Sequence, residues 1–423
     1  MGKKRRNSDG PALRPVKKIE LSEKNVALRL FLVIVLIVIA ASAFAYGFQG
    51  LFSQEAGYQE VTVDAGAEAN CGSEFVLMYH LGMNGTSATA ENKALTLIYT
   101  DAVEKAYQLF HNSMEFEGVN NVAYINAHPN EVIKVDEVLY NAFSTLQKYE
   151  NRYIYLAPIY RQYSDIFYCS DDSAIVDFDP YSNPEIATYY REIAKFACDS
   201  NAVNLELLGD NKVQLCVSEE YFSYAEENGI TDFINFSWMK NAFIIDYFAD
   251  VMIEKGYQSG TISSYDGFSR NLDESGAEYA FNIFDKRKQN VYTAGVMKYT
   301  GMNSIVFLRN YPMHSIDGGH YYELDNGDIR TSYLDIADGY CKSAVNNLVS
   351  YSADLGCAEV LMQMMPIYIA DTFDAQALLS LMENGIHSIY CENGVIYYNE
   401  KSLVLTELYQ KEDVQYQTSF VEK

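Results

Sequence analysis

The segment Asn235-Phe236-Ser237-Trp238-Met239-Lys240-Asn241-Ala242-Phe243-Ile244-Ile245-Asp246 runs without a break into nine further residues and then Gly256-Tyr257. Its composition predicts one strong helix over 241–255, with Gly256 as the residue that ends it. A strand follows over 260–264. Toward the N-terminus, helices are expected over 101–113 and 135–147. The first carries Val103, Ala106, Tyr107 and Phe110 at helical spacing; the second carries Val138, Leu139, Ala142, Phe143 and Leu146. Two more fall at 184–197 and 219–228. Between them, 203–208 and 212–217 flank Gly209-Asp210-Asn211 as a hairpin. Toward the C-terminus come strands at 277–284, 291–297 and 304–308, then helices at 355–365 and 375–383. A last hairpin, 387–392 and 395–398, turns on Asn393-Gly394. Helices interspersed with antiparallel hairpins and no internal repeat give an α+β class with one sizeable core.

The chain has 423 residues, 49% apolar and 21% charged, which is ample for such a core. Its net charge is −26, yet the first 29 residues hold nine Lys and Arg against three acids, so the rest is more acidic still, at −32. A body of that charge repels phosphate backbones, which excludes nucleic acid as a partner. The basic lead precedes Leu30 to Phe48, 19 residues without a charge. As a helix that run spans roughly 28 Å, one hydrocarbon core. The positive-inside rule then places 1–29 in the cytoplasm as a basic tail, 30–48 in the bilayer and the acidic body outside. Ala41-Ser42-Ala43 and Ala43-Phe44-Ala45 would suit a cleaved signal peptide, but a 29-residue lead is long for one, and the anchor is the preferred reading. Residues 49–74 read as a linker, 75–410 as the folded domain and 411–423 as a polar tail. The seven cysteines are widely spaced with no CxxC pair, which disfavours a zinc knuckle and leaves an odd thiol. Cys216 and Cys357, with apolar neighbours, read as small core residues.

HExxH, Walker A, GxSxG, GxGxxG and the EF-hand loop are all absent. Ser237-Trp238-Met239-Lys240 matches the SxxK of serine acyl-enzymes, but their Lys-Thr-Gly strand is missing and Ser269-Arg270-Asn271 matches the middle motif only loosely. His314, His320 and Asp317 share a Gly-rich loop that a metal would accept, and Asp171, Asp172, Asp177 and Asp179 carry enough charge for Ca²⁺. Neither has the spacing of a defined site, and solvated surface is the simpler reading of both.

Taken in series, the domain resembles the ApbE family, the FAD:protein FMN transferases, from about Phe75 to about Glu400. Tyr124-Ile125-Asn126-Ala127 is similar to that family's "LNA" segment. Residues 235–246 fit D-L-G-G-I-A-K-G-Y-A-V-D without a gap. Ile262-Ser263-Ser264-Tyr265-Asp266-Gly267 falls on V-N-L-G-G-D, Ser332-Tyr333-Leu334-Asp335 with Gly339 on H-I-I-D-P-x-T-G, and 347–363 on the segment ending A-D-A-L-A-T. The resemblance implies a single large ApbE-like domain of mixed helices and antiparallel strands, with FAD and Mg²⁺ as cofactors and a flavoprotein or membrane redox partner. Residue by residue it implies Asp335 and Ser332 as catalytic positions. It likewise implies Asp246, Asn241, Ser263 and Asp266 at the flavin, and Glu359 and Gln363 on the metal.

Many of those positions have changed chemistry. Moving FMN from FAD onto a Thr hydroxyl breaks a pyrophosphate, so phosphate charge must be neutralised. Where the family has Asp and Thr for Mg²⁺, this chain has Glu359 and Gln363. The family Lys is Asn241, with Lys240 about 100° away around the helix. The G-G pair is Tyr265-Asp266, and the His is Ser332. Asp246, Asp335 and Gly339 survive. The expectation is therefore a membrane-anchored, extracytoplasmic, degenerate flavin-transferase scaffold acting as a binding module. The alternatives are an active Mg²⁺-dependent FMN transferase and an exported acidic binding domain of another fold.

Overall fold

The computed structural model describes residues 55–64, 71–313, 317, 319–411 and 414–422. The basic lead and the apolar run 30–48 lie outside these, as does His314. Among the described residues no helix is long and apolar enough to cross a membrane.

Nine strands form one sheet, and they lie side by side in the order in which the chain makes them. They are β1 (Gly57–Val61), β2 (Phe75–Leu81), β3 (Gly260–Ser264), β4 (Phe268–Asn271), β5 (Asn303–Arg309), β6 (Asn347–Ser352), β7 (His387–Glu392), β8 (Val395–Tyr398) and β9 (Gln417–Phe420). Each neighbouring pair is antiparallel except the last, β8 with β9. Between β7 and β8 the turn residues Asn393 and Gly394 both have positive φ, the geometry that matches strand twist in a two-residue hairpin.

Alternation along the central strands separates two cores. In β5, Val306 and Leu308 enter one apolar cluster, and Ile305 and Phe307 the other. In β7, Tyr390 enters the first, and Ile389 and Cys391 the second. The first core is covered by three helices, α1 (Ala88–Phe110), α2 (Lys240–Glu254) and α3 (Cys357–Tyr368). The second is covered by the long hairpin Glu278–Arg287 and Asn290–Thr300, edged by Val404–Thr406. Between α1 and α2 the chain inserts five α-helices and a small sheet built on the expected hairpin, Val203–Gly209 with Lys212–Val217. The expected α+β class, with one domain of mixed helices and antiparallel strands, is the architecture observed.

Three boundaries differ from expectation. The helix expected at 101 begins at Ala88, where the Ser87 side chain accepts from the Ala90 N–H; Leu95 and Tyr99 extend the buried stripe backward. The supposed linker contains β1, whose residues hydrogen-bond to β2 although only Val61 is buried. The supposed tail contains β9, held by main-chain pairing to β8. A strand kept in place by backbone bonds rather than by an apolar face leaves no periodic signal. Of the two cysteines expected in the core, Cys357 is buried and Cys216 only half-buried.

Candidate functional site

The chain enters α2 through a strained corner. The Asn126 amide donates to the Ile234 carbonyl (2.9 Å) and accepts from the N–H groups of Phe233 and Ile234, clamping the strand of chain before it. Asn235 accepts from the Ser237 N–H at 2.7 Å, and Ser237 itself sits at φ +47°, a region that a side chain seldom occupies. Ser237–Met239 then form one 3₁₀ turn that feeds Lys240, the first residue of α2. Lys240 is thus committed to the helix start rather than to a serine nucleophile.

On the first turn of α2, Asn241 is buried, and its Nδ2 donates to Glu74 (2.8 Å) and to Asp266 (2.9 Å). Lys240 lies 3.5 Å from the Glu74 carboxylate. Burial alone would raise the Glu74 carboxyl, but Lys240, Asn241 and His320 together hold it below the usual carboxylate range. Asp266 goes the other way: burial raises it, against Ser264, His320 and Lys240. Asn241 Oδ1 and Asp266 Oδ1 are buried without a hydrogen-bond partner, so this cluster carries unmet polar demand.

One and a half turns further along α2, Asp246 is fully engaged in holding the fold. It accepts from the N–H groups of Cys357 and Ala358, both at 2.8 Å, and pairs with Arg270 at 3.1 Å. It therefore caps α3, whose own preceding residue, Gly356, has no side chain to do so. A Cβ on Gly356 would come 2.5 Å from Asp246 Oδ2. Burial pushes the Asp246 carboxyl up, against the pull of Arg270 and the two N–H groups. Asp246, which the resemblance assigns to the flavin, thus directs its oxygens to Arg270 and the start of α3.

Glu359 and Gln363, which the resemblance assigns to a metal, lie on α3. Glu359 meets Lys148 at 2.6 Å and the Tyr149 hydroxyl at 3.1 Å. Burial would raise its carboxyl, but Lys148 and Tyr149 bring it below the usual range. Gln363 donates to the Glu359 carbonyl and the Tyr149 hydroxyl and accepts from Asn384 at 2.6 Å. The pair thus faces the inserted segment and not the sheet. One residue earlier in each case, on the buried face of α3, stand Ala358 and Met362, which have no oxygen to offer. Among the described residues no three His, Cys, Asp or Glu side chains gather as a metal site needs. The residues present do not fit Mg²⁺ at this position.

Ser332, Asp335 and Ser263 are also set apart. Ser332 is buried beside Tyr333, whose ring meets Trp238 edge-on. Asp335 pairs with Lys342 at 2.8 Å, which in turn reaches Asp338 and Asp371; Gly339, at φ +75°, closes that turn. Among the described residues no hydrogen bond or ion pair joins Ser332 or Asp335 to the Asn241 cluster. Ser263 pairs with Val76 and Ser269 on the sheet face opposite Ile262, away from α2. Of the six polar positions that the resemblance assigns to flavin or catalysis, the structure brings together two, Asn241 and Asp266. Asp317 pairs with Arg309, and Asp179 with Arg330, so neither acidic loop is poised for a cation.

The Glu74 and Lys240 end of the cluster opens into a groove. One cavity, of about 580 Å³, lies between the end of α1, the Tyr160–Tyr168 segment and the corner before α2. A second, of about 690 Å³, continues past Asn126 toward Phe222 and Phe233. Asn112, Ser113, Arg161 and Asp232 line both, and Arg161 pairs with Asp232 at 3.3 Å.

The fold is ApbE-like. No protein-family model and no curated protein matches the sequence. Solved structures match the fold, among them two ApbE proteins. The ApbE protein of Thermotoga maritima MSB8 is 13% identical with a TM-score of 0.52, covering 84% of this chain and 97% of its own. The flavin transferase ApbE of Vibrio cholerae is 10% identical with a TM-score of 0.51, covering 83% and 97%. Identity this low speaks for the ApbE-like fold alone. Sequence reading missed Glu74, placed in the linker, and the Arg161–Asp232 pair, whose members lie too far apart in the chain to give a local signal.

Proposed function

We propose that this chain is an ApbE-like binding module, held outside the cell membrane by residues 30–48 with its N-terminus in the cytoplasm. Its groove takes a flavin without Mg²⁺-dependent transfer of FMN. The commitment of Glu359 and Gln363 to Lys148, Tyr149 and Asn384 carries this reading. Without a cation there, nothing in that position neutralises a breaking pyrophosphate. The ApbE-like fold and the groove beside Asn241 support a flavin as the ligand, presented to a flavoprotein or membrane redox partner. The test is a titration of the full chain in detergent with FAD, with and without Mg²⁺, followed by incubation with a Thr-containing acceptor. Binding indifferent to Mg²⁺, with no covalent flavin on the acceptor, is expected. Mg²⁺-dependent labelling would restore the transferase.

A further inference from the structure

The groove's charges narrow its ligand further, on the premise that the groove is the flavin site. Its lining holds two strong cations, Arg161 and Lys240, and four carboxylates, Glu74, Asp232, Glu115 and Glu226. Both cations are already taken: Arg161 sits 3.3 Å from Asp232, and Lys240 3.5 Å from Glu74. Glu115 and Glu226 have no cation left in the lining to offset them. A phosphate entering this space brings 1.5 to 2 negative charges, on the usual second pKa of about 6, into a net negative, partly desolvated cleft. The remaining lining mixes aromatic rings with small apolar and neutral polar side chains. Tyr107, Tyr160 and Tyr168 stand in one cavity, and Phe222 and Phe233 in the other. Tyr168 is 79% exposed at the rim, an uncommon place for a ring with nothing to cover it.

We infer that the groove binds a planar aromatic ring system without phosphate, uncharged or cationic, and discriminates against phosphorylated forms. Aromatic walls supply stacking area to any such ring. Carboxylates at the margins accept its N–H or hydroxyl groups and repel a phosphate. This inverts the charge preference that a dinucleotide site requires, and places discrimination in Glu115 and Glu226, which no part of the fold depends on: both are exposed.

The test compares riboflavin, FMN and FAD on the full chain by flavin fluorescence, at low and high salt. Riboflavin is expected to bind about tenfold or more tightly than FMN or FAD. Added salt should narrow that gap by screening the repulsion. E115Q/E226Q should raise FMN affinity several-fold relative to riboflavin and so narrow the gap between them, whereas Tyr168→Ala should weaken riboflavin without lowering the melting temperature. FMN or FAD binding more tightly than riboflavin would overturn this inference alone and leave the flavin module standing. Failure of all three to bind would overturn both.

Discussion

Asn241 and Asp246 lie five residues apart on α2 and do opposite work. Asp246 has every bond a buried carboxylate needs: two N–H groups of α3 and the Arg270 guanidinium. Asn241 sits between two carboxylates and keeps an oxygen without a partner. Asp246 thus serves the docking of α3, whereas Asn241 is buried beside Glu74 and Lys240, which line the groove.

The sharpest way to break this contrast is Asp246→Ala. It leaves the half-buried Arg270 without its partner and α3 uncapped, and should cost about 2–4 kcal/mol in chemical denaturation. A loss under 1 kcal/mol would remove Asp246 from its scaffolding role. Next in size is Gly356→Ala, whose methyl group pushes against the same carboxylate. It should cost about 1–3 kcal/mol through the displaced cap.

The cluster at the other end of α2 should show itself in pH dependence, with opposite signs for its two acids. The raised Asp266 binds its proton more readily folded than unfolded, so its contribution is full below about pH 3.9 and is lost as pH rises through its folded value. Asp266→Asn should therefore gain stability relative to the parent between pH 4 and 7. The lowered Glu74 contributes above about pH 4.3 and loses that contribution on acidification. Glu74→Gln should be less stable than the parent at pH 7, with the difference shrinking toward pH 3. Melting curves in which both variants shift with the same sign would dissolve the distinction.

The smallest effect belongs to Glu359→Gln. Its ion pair with Lys148 is half in water and should be worth no more than about 1 kcal/mol. Flavin binding should be untouched, since the side chain faces the inserted segment. Loss of Mg²⁺-dependent FAD binding in this variant would put the metal back on α3.

How far the site could be read from sequence follows from the kind of signal each residue leaves. Glu359 and Gln363 were aligned on a motif, but a helix turns about 100° per residue, so facing outward or inward depends on a one-residue register that apolar flanks such as Val360-Leu361-Met362 do not settle. In a strand one step likewise reverses the face, and Ser263 lies on the side away from α2. Glu74 fell in a stretch without periodicity. Its role comes from meeting Asn241, 167 positions away in the chain.

What the sequence by itself determined is the succession of elements: the α2 helix with its glycine stop, the two hairpins on Asp210-Asn211 and Asn393-Gly394, and the α+β order that the ApbE-like sheet retains. These are local matters of propensity, turn chemistry and apolar period, written within a few residues. Only the tertiary structure decided which carboxylates serve the fold and which line the groove. A side chain's role depends on the partners that long-range packing brings within 3 to 4 Å, and no local pattern encodes that distance.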